Sequence, residues 1–436
     1  MKSARARVWR RTALLAVLLL AACRATPDTS HVTTLTFWAM GREGESVRQL
    51  IPAFERAHPD IHVRVDILPW KGAHEKLLTA FAGDTTPDLC QLGNTWVAEL
   101  AALGALRPLG QRVRQSRVID ASDYFPGIWD TNRIDGTLYG IPWYVDTRLL
   151  FYRSDLLARA GFDHPPASWA EWAQQMAAVK RLVGPDRYAI MLPLNEFEQL
   201  ESLGLQQDQP MLRDDGRYGN FQSAGFEQAL RFYDRIFQQH WAPKVTNAEV
   251  PNPWAEFGQG YFAFYLSGPW NIAEFRKRLP ADVQKDWATA PLPGPDGPGA
   301  SLAGGSSLVI FRHSRHADAA WALIEYLSQP TVQLRFYQLV GDMPPRRATW
   351  KFPALADDPA AHAFRVQLER ARPVPKVPEW ERIASQLAVT GERMAHGELT
   401  PDQAARALDR HADAILAKRR WVMDHGVPAS HAQGAP

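Results

Sequence analysis

The chain has 436 residues, with 49 Lys and Arg against 47 Asp and Glu, a formal net charge of +2. So near a balance gives no electrostatic case for nucleic acid or for an anionic membrane surface. The length exceeds what one core usually supports, so two domains are expected, and the 46% hydrophobic content argues against disorder.

Met1 to Cys23 stands apart from the fold. Lys2, Arg5, Arg7, Arg10 and Arg11 form a basic head, and Ala13 to Ala22 is an apolar run far below the roughly 20 residues a spanning helix needs. Leu20-Ala21-Ala22-Cys23 then has the pattern of a bacterial lipoprotein signal, cleaved before Cys23, whose thiol takes a diacylglycerol. The alternative is an ordinary signal peptide cut at an A-x-A-like site. Cleavage removes 22 residues and five positive charges, which leaves 414 residues at a formal charge of −3. With Cys23 lipidated only Cys90 remains, which excludes an intrachain disulfide and a thiolate metal cluster. Neither a metal nor a cofactor is expected. Arg24 to His31 reads as a polar tether.

Thr34 to Met40 reads as a strand, Gly41 to Gly44 as a turn and Ser46 to Ala57 as an amphipathic helix. Strands follow at Ile61 to Ile67 and Asp88 to Leu92, with helices at Ala73 to Phe81 and Trp96 to Leu103. That alternation implies βαβ units and a parallel sheet. No G-x-G-x-x-G and no P-loop occurs, so a nucleotide site has no support.

Asp135-Gly136 is a turn, and Leu138, Ile141, Val145, Leu149, Leu150 and Phe151 make the next stretch extended chain. In its middle sit Trp143, Tyr144, Asp146 and Arg148, a mixture that suits a polar ring-shaped ligand. The alternative is a half-buried strand with a solvated polar face. Helices are expected at Ser154 to Ala160, at Trp169 to Lys180 with Ser168 as N-cap, and at Ser223 to Gln239. Tyr188 to Leu192 and Tyr261 to Leu266 read as strands. Gly268-Pro269-Trp270 opens a helix to about Leu279, and Leu292 to Ala300 is a Pro/Gly loop. Gly304 to Ser307 leads into a strand at Leu308 to Phe311. Helices follow at Ala317 to Leu327 and Thr331 to Leu339, and the C-terminal region is helical to roughly His425. Open α/β sheets take ligands beyond the carboxyl ends of their strands. That rule puts Trp38 to Glu43, Asn94 to Trp96 and Gly268 to Asn271 at one cleft.

DGTLYGIPWYVDTRLLFYRSDLLARAG, Asp135 to Gly161, resembles the crossover segment of extracellular solute-binding proteins of the sugar-binding group, the receptors of ABC importers. Gly268-Pro269-Trp270-Asn271 is similar to that family's GPW motif, and GDMPPRR, Gly341 to Arg347, to its third crossing. The motifs occur in the family's order between about Thr34 and Leu408. The resemblance implies an α/β, bilobal periplasmic-binding-protein fold, two α/β lobes joined by hinge crossovers with the ligand cleft between them. On that reading 1–22 is the signal peptide and 23–33 the lipidated cysteine and tether. The N-terminal lobe is 34–143 plus 304–345, the C-terminal lobe 144–303 plus 346–425, and 426–436 is a disordered tail.

The implied function is a periplasmic sugar receptor of an ABC importer, binding a di- or oligosaccharide of the maltose or trehalose type. Its partners would be the sugar and the permease subunits, with no nucleic acid, membrane contact through the lipid anchor alone, and a monomeric state. Aromatic faces cover sugar rings, and charged planar groups make the stronger bonds to hydroxyls. The ligand-binding candidates on the first lobe and crossovers are Trp38, Glu43, Asn94, Trp96, Trp143, Asp146, Arg148, Gly305 and Arg346. Those of the second lobe are Glu196, Trp254, Trp270 and Asn271. Each has a bland reading: core packing for the tryptophans, a solvated turn acid for Glu43, an N-cap for Asn94, a hinge brace for Arg346. Which of Arg346 and Arg347 faces the cleft stays open. The alternatives are an anchored glycan-processing hydrolase and a receptor of this fold for a non-sugar ligand. No carboxylate spacing marks a glycosidase pair, and no GxSxG or HExxH occurs, so no enzymatic activity is expected.

Overall fold

The computed structural model describes residues 32–425. The signal segment, the lipidation residue Cys23, the tether to residue 31 and the expected tail 426–436 lie outside them. Two sheets organise the rest. Edge to edge, the first runs Ile61–Leu68, Thr33–Met40, Leu89–Gly93, Gly304–Ile310, Gly140–Asp146. Its first three strands are parallel, as the βαβ pattern requires. The last two are antiparallel to their neighbours. The second sheet runs Trp287–Ala290, Leu149–Arg153, Phe262–Ser267, Tyr188–Met191.

Burial follows position. At the edge of the first sheet Ile61, Val63 and Val65 are buried while His62 and Arg64 are exposed, the period of two that a half-covered strand needs. Leu89–Gly93 and Phe262–Ser267 lie inside their sheets and are buried throughout. Helix Trp169–Val183 begins where Ser168 Oγ accepts from the Glu171 amide at 3.3 Å. Helix Pro401–Ile415 starts with a capping box between Thr400 and Gln403.

Phe37, Ile141, Trp143, Leu308 and Phe336 share one core with the first sheet, and Met40, Leu77, Cys90 and Phe311 pack on its other face. Burial alone pushes the Cys90 thiol far above its usual range. Trp172, Leu230, Phe264, Trp380 and Leu387 form the core on one side of the second sheet, with Phe151, Phe257, Phe275 and Phe364 on the other. The chain passes from Asp146 in the first sheet to Leu149 in the second through two residues. It returns between Ser301–Leu302, paired with Ala371–Arg372, and Gly304 of the first sheet. It passes a third time after helix Pro330–Val340, since Phe336 packs in the first core and Met343 in the second set. The passages touch: Gly304 pairs with Asp146, and the Val145 amide donates to Met343 O at 2.8 Å.

Some expected elements differ. Gly41 to Gly44 is the first turn of a helix, Gly41–Val47, and not a loop. The long helix expected to Ala57 is broken at Arg48 to Leu50 because Pro52 starts a second helix, Ile51–Ala57. Gly304 to Ser307 is already strand. Strand Trp287–Ala290 and helix Glu198–Leu205 have no counterpart in the expected set.

Candidate functional site

A cavity of about 500 Å³ lies between the lobes, at the ends of both sheets. Its first-lobe wall comes from Glu43 on helix Gly41–Val47, from Trp70, from the turn Asn94–Trp96 and from Tyr144 and Asp146 on one strand. Its second-lobe wall comes from Glu198 and Glu201 on helix Glu198–Leu205, from Trp270 at the start of helix Trp270–Arg278, and from Glu381. Arg148, Gly305 and Asp342 enter from the three passages.

Arg148 holds the centre. Its Nη1 donates to Asp146, its Nη2 donates to Glu198 Oε1 at 3.0 Å, and its guanidinium lies 4.9 Å from the Trp270 ring centre. Burial opposes the charge, but Asp146 and Glu198 outweigh it and keep the group protonated. The Asp146 carboxyl is raised by burial, with Arg148 pulling the other way. The Trp270 ring folds back over Gly268, where an added Cβ would stand 2.1 Å from Cζ3. Only glycine permits that approach. Gly305 has φ +112, and a Cβ there would lie 2.3 Å from Tyr144 O.

Acids dominate the rest. Burial raises Glu43, whose Oε2 accepts from Trp70 Nε1 at 3.2 Å. Asp342 is buried, is hydrogen-bonded to Glu43 and is pushed well above the carboxylate range, first by burial and then by the Glu43 charge. Glu201 is fully buried and is pushed up to about 8 by burial. Glu381, also raised by burial, accepts from Thr95 Oγ1. Tyr144 Oη accepts from Gln91 Nε2 and from Ser306 Oγ, each at 3.0 Å, so its own hydrogen is left for the cavity. Trp70 and Trp96 meet edge to face, 5.8 Å between centres, as a second aromatic platform. Among the described residues no group of three or more His, Cys, Asp or Glu is arranged to hold a metal ion.

The structure thus brings together Glu43, Asn94, Trp96, Asp146, Arg148, Trp270 and Gly305. It does not bring the other candidates. Trp38 is half-buried against the core on one face of the first sheet, beneath Lys76, whose Nζ is 5.0 Å from its ring centre. Trp143 is 2% exposed and stacks on Phe336 at 4.4 Å. Asn271 is buried, donating to Ser267 Oγ at 2.7 Å and accepting from Trp254 Nε1 at 2.7 Å, so that pair braces the second lobe. Glu196 is turned to Gln199 and Asn247. Arg346 donates to Asp123 Oδ2 at 2.7 Å and to Ser328 O at 2.6 Å, which is the brace and not a cleft contact. Arg347 is spent on Glu369 and Tyr124 O. Asn94 borders the cavity, yet its amide is used internally: Nδ2 donates to Gly304 O at 3.1 Å and Oδ1 accepts from Ser307 Oγ at 2.9 Å.

Trp70, Glu198, Glu201, Asp342 and Glu381 line the cavity without having been singled out, and so does Tyr144, which belongs to the aromatic-acid stretch but not to the candidates. Strand parity signals Tyr144, two residues before Asp146 and so on the same face. The acids at 198 and 201, beside Leu200 and Leu203, have the spacing of one helix face. Asp342 lies within the GDMPPRR crossing, and nothing local signals Trp70 or Glu381.

Residues 39–334 match the family of bacterial extracellular solute-binding proteins. The structure of the sugar-binding protein MalE from the phytopathogen Xanthomonas citri is 59% identical, with a TM-score of 0.88 over 90% of this chain and 99% of that one. An uncharacterized lipoprotein of Streptomyces antibioticus is 28% identical over 404 residues, 85% of each chain. A mannitol-binding protein of Pseudomonas aeruginosa is 27% identical over 425 residues, 89% of this chain and 94% of its own. No helix among the described residues is long and apolar enough to cross a membrane.

Proposed function

This chain belongs to the bacterial extracellular solute-binding proteins, and from that premise we propose that it is the sugar receptor of an ABC importer, taking a di- or oligosaccharide of the maltose or trehalose type. The observation that carries the reading is the pairing of aromatic faces with carboxylates. Trp270 faces the cavity from one lobe and the Trp70–Trp96 pair from the other, with Asp146, Glu198, Glu43 and Glu381 between them. Two platforms suit two sugar rings, and the carboxylates accept from hydroxyls. The relative named for sugar binding, at 59% identity, supports the class. The mannitol-binding relative supports recognition of adjacent hydroxyls in general and leaves maltose and trehalose as the finer proposal.

On this reading the lobes are those expected from the sequence, 34–143 plus 304–345 and 144–303 plus 346–425, with the first boundary moved to follow Asp146, the last residue of the first-sheet strand Gly140–Asp146. They close around ligand by bending at 143–148, 301–305 and 343–348. A monomer tethered in the periplasm through lipidated Cys23 presents the closed form to the permease. The lipoprotein relative supports that anchor. The ligand leaves as it entered, since binding here involves no bond breaking.

A thermal-shift screen over mannitol, maltose, trehalose and monosaccharides tests the reading. A true ligand at 100 times its Kd stabilises by about 2.7 kcal/mol and is recovered unchanged by chromatography. If every sugar leaves the melt where it was, or if maltose is hydrolysed, the reading is wrong.

A further inference from the structure

We propose that Glu201 enters ligand binding as a neutral carboxylic acid whose Oε2 donates a hydrogen bond to an oxygen of the bound sugar. The inference rests on the sugar-receptor reading and assigns a role within that cleft. Glu201 sits on the cavity wall with no exposed surface. Its Oε1 accepts from Trp380 Nε1 at 2.9 Å, and its Oε2 is buried without a partner among the described residues. A buried ionised oxygen without a donor is costly, whereas a protonated one needs only an acceptor, which a ligand can bring.

The surroundings argue for the proton. On its own helix stands Glu198, and from helix Trp380–Ala395 comes Glu381; both disfavour a second negative charge there. Among the described residues the cation that acts on it is Arg148, which is already engaged by Asp146 and Glu198. The first lobe contributes Thr95, whose hydroxyl is given to Glu381. Burial and these acids push Glu201 up to about 8. The wall around it is rich in carboxylates, and Trp70 Nε1 and one N–H of each Arg148 terminal nitrogen are already engaged by them. A sugar hydroxyl both gives and takes, and a glycosidic or ring oxygen only takes. Protonated Glu201 supplies an uncharged hydroxyl donor on the second-lobe wall, as Tyr144 does on the first.

The test is a calorimetric titration at pH 7 and pH 9, with maltose or trehalose, on the native chain and on Glu201→Gln. The amide keeps the shape, accepts from Trp380 and donates without a titrating proton. Native affinity should fall about tenfold across that interval, as a group of pKa about 8 loses its proton. Asp342 titrates in both chains and cancels in their ratio. Glu201→Gln should therefore match the native chain within about threefold at pH 7 and exceed it about tenfold more at pH 9. A ratio of Glu201→Gln to native affinity that stays constant or falls from pH 7 to pH 9 overturns the proposal. So does a tenfold loss in Glu201→Gln at pH 7 with a normal melt. If neither sugar binds the native chain at any pH, the parent reading falls as well, which separates the two failures.

Discussion

Gly268→Ala is expected to cost most of the affinity that Trp270→Ala costs, although it removes no contacting group. The added Cβ would stand 2.1, 2.3 and 2.7 Å from Cζ3, Cη2 and Cε3 of the Trp270 ring. Carbon atoms sit comfortably at about 3.5–4.0 Å, so the ring must swing outward by roughly 1 Å or more. It then leaves its place under Arg148, 4.9 Å from the ring centre. Removing the indole altogether takes away a contact area of about 150–250 Å², a loss of about 2–4 kcal/mol on the scale of an interface hot spot. A displaced ring keeps part of its contact, so about 1–3 kcal/mol should go, or about 5- to 150-fold in Kd. The decisive measurement is the double-mutant cycle. Once Trp270→Ala has removed the ring, the Gly268 methyl meets nothing of it. The second change should then add less than about 0.5 kcal/mol. Calorimetric titration with the disaccharide gives the four affinities, and a melt of each variant checks the fold. Unchanged affinity in Gly268→Ala, or full additivity in the cycle, would refute the placing of Trp270 as the ring platform.

Arg148→Met leaves Asp146 and Glu198 without their cation, and a broken buried pair costs about 3–5 kcal/mol. The two carboxylates keep 26% and 23% of their side-chain surface exposed, which reduces the expected loss to about 2–3 kcal/mol. The loss should be full at pH 8 and shrink toward pH 5, as the Asp146 carboxyl, already raised by burial and freed of the lowering pull of Arg148, protonates in the fold. Urea melts showing the same deficit at both values would contradict this. Asp342 is held above its unfolded pKa, so its contribution to stability is present at low pH and lost as pH rises through the folded value. Asp342→Asn should therefore be no less stable than the native chain at pH 5 and more stable at pH 9, by melting temperature. Trp143→Ala should lose about 3–5 kcal/mol of stability with near-normal affinity in the folded fraction. Trp70→Ala, at a rim position 39% exposed, should lose affinity and under about 1 kcal/mol of stability; the reverse pattern would exchange their roles.

What the sequence makes legible is the local physics. Ser168 before an apolar run starts a helix, alternation at Ile61–Leu68 makes an edge strand, and the GPW turn delivers Trp270 to the cleft. The aromatic-acid stretch does reach the site, but its backbone path decides which side chains do: the register against Gly304–Ile310 shifts at Trp143, and Tyr144 packs in the same core while also lining the cavity. Asp146 and Tyr144 share a face, and Trp143 points into the core with Phe37 and Phe336. Composition cannot make that choice; pairing with Gly304–Ile310 can. Glu198 and Glu201 are hidden because the helix that carries them is short and its apolar face is modest. Trp70, Asp342 and Glu381 are hidden for a different reason. They arrive at the cavity from segments that meet only in the folded chain; Trp70 and Glu381 have no neighbour in sequence that announces them, and Asp342 sits inside the GDMPPRR crossing, where the arginine draws the attention instead. Asn271 and Arg346 look like ligand contacts because polar side chains beside a cleft and polar side chains bracing a hinge have the same composition.

The burial of Cys90 has a practical side. The thiol has no exposed surface, donates to Gln91 O and is held protonated by its surroundings, so it is a poor nucleophile toward maleimides and iodoacetamides. Cys23 is the one other cysteine, and a recombinant chain begun after it has no reactive sulfur at its surface. Dyes can then be attached to cysteines introduced one on each lobe without altering a native residue of the core. Energy transfer between them would follow opening and closing molecule by molecule, and the same pair would turn the protein into a fluorescent gauge of sugar concentration.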